Sequence, residues 1–298
     1  MVRIIENYTL YEIIGEGAYG KVFRAINKLD NKEYAVKVIE VRRFKENKKL
    51  EECTVNEINI LTNIEKNEHI IKYIDMLKTP NNFYFVYEYC NGGTLEGMLR
   101  KERVIPEKQA LLIFKQLIEA FQVLNKYNIM HRDLKPDNIF FNQGLVKLGD
   151  FGFCKSLEKA NMTKTMLGSP IYMAPEILRG EIYSTKADIW SLGVVLYEML
   201  YGFCPFESTT IPKLIEVLKE TELEFPNKET VSDETKRLVR KLLTKDPTKR
   251  IEWMELLRVN IASDGRLVSN KQERLSLVEE DGGLDNAKLA ESTKLNFS

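Results

Sequence analysis

The chain has 298 residues, of which 44% are apolar, enough to build one large domain or two lobes around a sizeable core. Its 44 lysines and arginines equal its 44 aspartates and glutamates, so no bulk charge marks a nucleic-acid or membrane-surface protein. The four cysteines lack metal-ligand or redox spacing and predict reduced thiols in the cytoplasm or the nucleus. No apolar run reaches the length of a membrane span, roughly 18 residues, so we expect no membrane insertion.

The first 90 residues have the pattern of a small lobe built on a sheet. Five segments rich in β-branched and aromatic residues predict an antiparallel sheet of five strands: 8–14, 21–25, 33–39, 70–76 and 83–89. A charged segment, 42–49, is expected to be a solvated loop or a docking surface. Apolar positions with helical spacing follow it and predict a helix over 53–65.

Helical periodicity dominates after the pair Gly92-Gly93. Four helices are predicted there, near 107–127, 185–201, 211–219 and 233–243. The glycine pair therefore predicts a hinge between an N-terminal lobe, 1–90, and a C-terminal lobe, 91–258. Residues 259–298 are polar and poor in aromatic side chains, and they predict a tail that is disordered at least in part.

A glycine-rich motif, formed by Gly15, Gly17 and Gly20, lies between the first two predicted strands. In a dinucleotide-binding fold this spacing opens a helix, whereas here another strand follows. A glycine-rich turn in a hairpin lets backbone amides approach phosphate groups because no Cβ stands in the way. Taken alone, the motif also fits an ordinary glycine hairpin.

Lys37 lies in the third predicted strand, between the apolar residues Val36 and Val38. A lysine in such a strand is ordinarily an edge residue whose ammonium group reaches solvent. A functional lysine needs a carboxylate partner, and Glu57 on the predicted helix supplies one. Phosphoryl transfer uses this arrangement, in which a strand lysine paired with a helix glutamate holds the nucleotide phosphates.

The strongest signal is the octet His-Arg-Asp-Leu-Lys-Pro-Asp-Asn that ends at Asn138, followed by Asp150-Phe-Gly. Magnesium takes oxygen ligands, which Asn138 and Asp150 offer from two neighbouring loops. Asp133 can orient a hydroxyl group and accept its proton. Lys135 can offset charge on a transferring phosphoryl group.

In this order, the motifs resemble the eukaryotic protein kinase superfamily over residues 8 to about 258. Two further segments fit it: 168–176 is similar to the end of an activation segment, and 188–193 to the start of the central helix of the large lobe. The resemblance implies an α+β fold of two lobes with ATP and Mg²⁺ in the cleft between them. It implies catalytic roles for four residues: Lys37, Glu57, Asp133 and Lys135.

The same resemblance implies an adenine site in which backbone groups of Glu88 and Cys90 meet the base and Tyr87 is the gatekeeper. The remaining nucleotide-binding residues would be Gly15, Gly17, Gly20, Val22, Ala35 and Lys37. Arg250 matches the arginine that family members pair with the glutamate at position 176. Lys135 together with Ser169 has the serine/threonine form, which implies protein substrates.

Three stretches, 86–93, 150–155 and 168–176, look similar to the autophagy-initiating kinases. Calmodulin-dependent-like kinases share much of this pattern. The family resemblance also implies control by phosphorylation at Thr165, by an upstream kinase or in trans by a second copy of the chain. Arg132 and Lys155 would receive the phosphate. The alternative is that Thr165 is simply exposed, with Thr163 or no residue modified.

The expected peptide specificity also rests on the resemblance. Phe153 predicts serine rather than threonine as the acceptor. An apolar residue is expected just after the acceptor, because three apolar residues occupy the segment that cradles it: Met166, Pro170 and Met173. Thr94 replaces the carboxylate that arginine-directed kinases carry, so arginine three residues before the acceptor should add little. Glu198 could still attract a basic residue nearer the acceptor.

Two rival functions come from other classes. A pseudokinase scaffold would bind nucleotide without transferring phosphate, which the intact residues Lys37, Asp133, Asn138 and Asp150 oppose. A small-molecule phosphotransferase would lack the segment 168–176, which is complete in this chain.

Overall fold

The computed structural model describes residues 3–17, 20–156, 169–226 and 230–268, and the elements below are those of this part of the chain. Its strands are β1 Arg3–Ile5, β2 Tyr8–Gly17, β3 Gly20–Asn27, β4 Glu33–Glu40, β5 Tyr73–Lys78, β6 Asn82–Glu88, β7 Ile129–Met130, β8 Ile139–Asn142, β9 Leu145–Leu148, β10 Lys155–Ser156, β11 Asn260–Ile261 and β12 Leu267–Val268. Its helices are α1 Val41–Glu46, α2 Lys48–Asn63, α3 Leu95–Glu102, α4 Glu107–Lys126, α5 Pro175–Leu178, α6 Lys186–Tyr201, α7 Ile211–Glu220, α8 Asp233–Leu242 and α9 Trp253–Leu256.

The N-terminal lobe is an antiparallel sheet with strand order β1-β2-β3-β4-β6-β5. It has six strands, not the five predicted, because β1 folds back on β2 with Arg3 opposite Leu10. Tyr8, Leu10, Ala25, Val36 and Val86 form part of the core on one face of this sheet. The other face buries Ile39, Phe85 and Tyr87 together with Leu50 of α2. Helix α2 therefore covers this second face of the sheet and shields it from solvent.

Helix α2 begins at Lys48, five positions earlier than predicted, because Asn47 caps it. The Asn47 side chain accepts a hydrogen bond from the Leu50 amide at 3.1 Å, as asparagine at an N-cap commonly does. Upstream, the segment expected to be a solvated loop forms α1, which buries none of its residues. Its two apolar residues, Val41 and Phe44, are half-buried, and the Phe44 ring lies 5.0 Å from that of Phe83. Two apolar residues in a helix of six are too few for periodicity to reveal it.

The C-terminal lobe is built around α6, which is buried on nearly all sides. A helix that is apolar all round belongs to the core of a large domain. Helices α4 and α8 pack against it. Arg250 and Glu176 form a buried pair beside it, with Nη1 to Oε1 at 2.7 Å and Nη2 to Oε2 at 2.9 Å. The expected pairing of these two residues is therefore present, and the α+β architecture with two lobes is confirmed.

A short hairpin, β11 and β12, lies inside the segment that we expected to be a polar tail. Ile261 of this hairpin is buried in the core of the helical lobe. Gly265 turns the hairpin with φ of +78° and lies so close to α4 that a Cβ would be 2.2 Å from the Lys108 carbonyl oxygen. Only glycine fits both the backbone angle and the contact. The packed lobe thus continues to 268, the last described residue.

Across the described ranges, no helix combines the length and the apolar character needed to cross a membrane.

Candidate active site

A cavity of about 530 Å³ separates the sheet from the helical lobe, within the usual size range of ligand pockets. It brings together ten of the residues predicted to bind nucleotide, metal or each other: Gly15, Gly20, Val22, Ala35, Lys37, Glu57, Tyr87, Glu88, Cys90 and Asn138. Asp150, the other predicted metal ligand, is the eleventh of these residues to line it. The sequence reasoning missed other lining side chains, among them Ile14, Ile71 and Phe140. Phe140 lies two positions after the octet motif, and this proximity was the one signal in the sequence that could have identified it.

The glycine motif forms the roof of this cavity at the β2–β3 hairpin, where Gly17 pairs with Gly20. Ala18 and Tyr19 at its tip lie outside the described residues. Gly20 has φ of +146°, and a Cβ there would lie 2.3 Å from the Val38 carbonyl oxygen. Glycine is therefore required for β3 to lie this close to β4 beside the cavity, which Gly15 and Gly20 line.

Lys37 and Glu57 are joined across the cavity by an ion pair, with Nζ to Oε2 at 3.0 Å. Glu57 lies on the buried face of α2, together with Leu50, Thr54 and Ile60, and is only 4% exposed. Burial opposes the charge of Lys37, but the carboxylates of Glu57 and Asp150 outweigh it and raise the pKa of Lys37 above its usual value. Lys37 is thus a fixed cation directed at the place where phosphate groups would lie.

Asp133 is a buried carboxylate whose two oxygens are held in different directions. Oδ1 accepts the backbone N–H of Ser169 at 3.1 Å. Oδ2 accepts the Lys135 ammonium at 3.0 Å and the Asn138 amide at 3.1 Å. A carboxylate that is oriented in this way can position a hydroxyl group and accept its proton. Lys135 lies beside it, where positive charge can stabilise a developing anion.

Asn138 and Asp150 offer the oxygen atoms for a metal. Asn138 donates its amide to the Asp133 backbone carbonyl at 2.8 Å, which leaves Oδ1 to act as an acceptor. The Gly149 amide donates to the Asn138 carbonyl at 2.9 Å and ties the two loops together. The described residues contain no cluster of three or more His, Cys, Asp or Glu side chains suited to a metal. Such a sparse oxygen set fits Mg²⁺, which commonly takes one or two protein ligands together with water and substrate phosphates.

The loop that carries Asp133 is held from below by Asp188 at the start of α6. Its buried carboxylate accepts the amides of His131 at 2.8 Å and Arg132 at 3.0 Å. Burial raises the pKa of Asp188, and the two amides and nearby cations oppose that shift. The His131 ring packs edge-on against Phe151 at 5.2 Å, so this histidine supports the loop rather than facing the cavity. Arg132 takes a positive φ of 67° in the same turn.

Tyr87 is buried at the rear of the cavity in β6, opposite Ala35 of β4. The side chain of the next residue, Glu88, accepts hydrogen bonds from the Lys147 ammonium at 3.0 Å and the Lys72 amide at 2.8 Å. This brace between the hinge and the β8–β9 hairpin had no signal in the sequence. Burial raises the pKa of the Cys90 thiol to about 12, so it stays protonated at neutral pH.

Two of the residues predicted to be regulatory fall outside what the structure describes: Thr165 as a whole and the side chain of Lys155. The same holds for two specificity residues, Met166 and the side chain of Phe153. Thr94 lines the cavity and also caps α3, because its hydroxyl accepts the Gly97 amide at 3.1 Å.

Glu198 of α6 accepts a hydrogen bond from the Tyr172 hydroxyl at 2.9 Å. Burial raises the pKa of Glu198 from 4.5 to about 7, although the Tyr172 hydrogen bond opposes the shift. A group whose pKa is raised on folding contributes stability below its unfolded pKa and loses it as the pH rises through the folded value. The fold should therefore lose this contribution between pH 4.5 and about 7.

Glu198→Gln is expected to be more stable than the wild type at pH 8, by about 1–2 kcal/mol after allowance for solvent screening. At pH 4.5 the two proteins should unfold alike, because the wild-type carboxyl group is then neutral. Urea unfolding at both pH values measures the difference. Glu216→Gln, on the exposed side of α7, is the control and should change stability at neither pH. A gain for Glu198→Gln that is equal at both pH values would contradict the raised pKa.

Comparison with known proteins agrees with this geometry. A model of the protein kinase domain matches residues 8–260. Serine/threonine-protein kinase ATG1c of Arabidopsis thaliana is 36% identical over 288 residues, which are 95% of this chain and 39% of that protein. Serine/threonine-protein kinase atg1 of Dictyostelium discoideum is 35% identical, with 85% of this chain matching 38% of that protein. Serine/threonine-protein kinase ULK3 of Homo sapiens is 35% identical, with 84% of this chain matching 54% of that protein.

The chain thus spans about two fifths to one half of the length of these relatives. The expected resemblance to the autophagy-initiating kinases is confirmed by the similarity to the ATG1 and ULK3 proteins. The relatives that align over more than four fifths of this chain are named serine/threonine-protein kinases, and because the matched domain covers most of the chain, the chain belongs to the protein kinase family.

Proposed function

We propose that this chain transfers the γ-phosphoryl group of ATP to serine and threonine hydroxyls of proteins, with serine preferred. The observation that carries the proposal is the convergence of Lys37, Glu57, Asn138 and Asp150 around one cavity, with Asp133 hydrogen-bonded to Asn138 at 3.1 Å and none of the expected side chains replaced. Members of this family generally use ATP together with Mg²⁺. A pseudokinase scaffold is not favoured, because such a protein has no need of an oriented Asp133 beside an intact Lys37–Glu57 pair.

The cavity residues divide the work by position. Ala35 and Val22 offer an apolar surface for adenine, and the glycine turn of β2 and β3 covers the phosphates. Lys37, fixed by Glu57, binds phosphate oxygens. Asn138 and Asp150 would hold Mg²⁺, which screens the phosphate charges when it is bound.

Asp133 orients the acceptor hydroxyl and takes its proton as the new bond to phosphorus forms and the bond to the leaving ADP oxygen breaks. The Lys135 ammonium, 3.0 Å from Oδ2 of Asp133, is placed to offset the charge of the transferring group. Since phosphoryl transfer proceeds through a loose transition state, position and charge supply most of the rate.

The preference for serine rests on Phe153, which follows the Asp150-Phe-Gly motif in the sequence. A large planar residue beside the acceptor disfavours the additional methyl group of threonine. The partners that follow from this proposal are protein substrates and, for Thr165, an upstream kinase or a second copy of the chain.

A positional peptide library with radiolabelled ATP and Mg²⁺ tests the proposal. Serine peptides with an apolar residue after the acceptor should be phosphorylated fastest. Faster transfer to threonine would overturn the preference for serine but not the kinase activity. Nucleotide binding without transfer to any peptide or protein would overturn the proposed function and favour the scaffold.

A further inference from the structure

The side chain of Asn56 joins helix α2 to the turn that follows Asp150. Its amide nitrogen donates to the Cys154 carbonyl oxygen at 2.8 Å and to the Phe151 carbonyl oxygen at 3.4 Å. The same Phe151 oxygen accepts the Cys154 amide at 3.1 Å, which closes the turn. One carboxamide therefore uses both of its N–H groups on the two ends of this turn.

The packing around Asn56 is close on both sides. Cys53, one helical turn earlier on the same face of α2, lies so near that a Cβ on Gly152 would be 3.6 Å from its own Cβ. Phe151 and Cys154 are buried beneath the turn, with 0% and 3% of their surfaces exposed. Immediately after the turn, β10 pairs with β7, which leads into the loop that carries Asp133.

Helix propensity does not account for asparagine at this position, because asparagine is a poor residue for the interior of a helix. Glu57, the residue after Asn56, is the partner of Lys37. The turn to which Asn56 donates begins directly after Asp150. Asn56 is thus the covalent neighbour of one functional residue and the hydrogen-bond partner of the segment that carries another.

We propose that Asn56 is a positioning residue for phosphoryl transfer, which fixes α2 against the turn 151–154 so that Glu57 and Asp150 reach the cavity together. This role rests on the proposed kinase function. The two hydrogen bonds fix the distance between α2 and the turn. This holds Glu57 in the position from which it pairs with Lys37. When the carboxamide is lost, the helix and the turn separate more often, and Cys154 becomes accessible.

Asn56→Asp is the sharpest variant, because it keeps the size of the side chain but replaces the donor group with a charged oxygen that faces two carbonyl oxygens. Asn59→Asp is the matched control, since it adds the same charge to an exposed position of the same helix. The first measurement is the rate at which iodoacetamide labels each cysteine of the full chain, followed by peptide mass spectrometry. Cys204, buried in the helical lobe, is the internal reference.

Burial raises the pKa of the Cys154 thiol well above its usual value, so labelling in the closed state is slow. Asn56→Asp should raise the Cys154 rate by roughly tenfold, the effect of losing two hydrogen bonds, while Cys204 is unchanged. Asn59→Asp should raise neither rate. Because this measurement needs no catalysis, it remains valid if the chain proves to be inactive.

The second measurement is the dependence of peptide phosphorylation on magnesium concentration. Asn56→Asp should lower kcat and require more Mg²⁺ for half-maximal rate, while the KM for peptide stays unchanged. A uniform loss of active protein would lower kcat alone and leave the magnesium dependence as in the wild type.

Unchanged Cys154 labelling in Asn56→Asp would overturn the proposal. If Cys204 labelling also rises, Asn56→Leu decides, since it removes the donors without adding charge. Faster labelling of Cys154 alone in that variant supports the proposal, and labelling of both cysteines or of neither overturns it. Faster Cys154 labelling in a chain without kinase activity would retain the attachment of helix to turn and reject the proposed function.

Discussion

Asp133→Asn is expected to lower turnover by roughly 10²–10⁴, the range for the loss of a positioned proton acceptor. Asparagine has the size of aspartate and can still accept the Ser169 amide, but it cannot take a proton from the attacking hydroxyl group. Nucleotide binding should be retained, because Lys37, Asn138 and Asp150 are unchanged. Steady-state kinetics on a serine peptide and calorimetry with ATP and Mg²⁺ measure the two effects separately.

Asp137→Asn is the matched control, since Asp137 lies in the same loop but is exposed to solvent. It should keep kcat within about twofold of the wild type, as expected for a surface substitution. Near-complete activity of Asp133→Asn would show that another group accepts the proton. Loss of ATP binding in that variant would show that Asp133 acts mainly through the metal.

Arg250→Met is expected to destabilise the fold by about 3–5 kcal/mol, the cost of leaving a buried charge without its partner. Glu176 and Arg250 are each 1% exposed, and their two hydrogen bonds are of the short, bidentate type. Arg250 also donates to the Lys186 and Thr244 carbonyls at 2.8 and 3.0 Å. Urea unfolding at pH 7 measures the change.

The exposed pair Arg237–Glu234 supplies the control, with Nη2 to Oε1 at 2.6 Å. Arg237→Met should cost only about 0–1 kcal/mol, because water screens a surface ion pair and solvates the partner that remains. The double variant Glu176→Gln, Arg250→Met should lose less stability than the sum of the single variants, since no buried charge is then uncompensated. A cost for Arg250→Met as small as that for Arg237→Met would mean that water reaches the Glu176 carboxylate.

Much of the cavity could be predicted from the sequence because its chemistry depends on residue types at fixed spacing. Lys37, Asp133, Asn138 and Asp150 lie in motifs whose order along the chain determines where they meet. The buried face of α2 could not be inferred in the same way, because the apolar stripe of Val55, Ile58, Leu61 and Ile64 placed Glu57 only near its edge. In the structure Val55 is 48% exposed, and Glu57 is buried together with Leu50, Thr54 and Ile60.

Other features left no trace in local patterns. Strand β1 has three residues, too few for an alternating pattern, and it exists because β2 offers it an edge. The contact of Asn56 with Cys154 joins residues 98 positions apart, and its acceptor is a backbone carbonyl that every residue possesses. Because a main-chain group can belong to any residue type, the sequence does not show which residue such a side chain will bind. The Glu88–Lys147 brace does join complementary charges, but many such pairs exist in a chain with 30% charged residues.

The hairpin of β11 and β12 determines where this domain can be cut or fused. Ile261 fills a place in the core, and Gly265 rests on the first turn of α4. A protein fragment ended at 258, the boundary suggested by composition, would lack Ile261 and leave an apolar opening beside α4. Fluorescent fusions and affinity tags are therefore best joined after Val268, where the second strand of the hairpin has been completed.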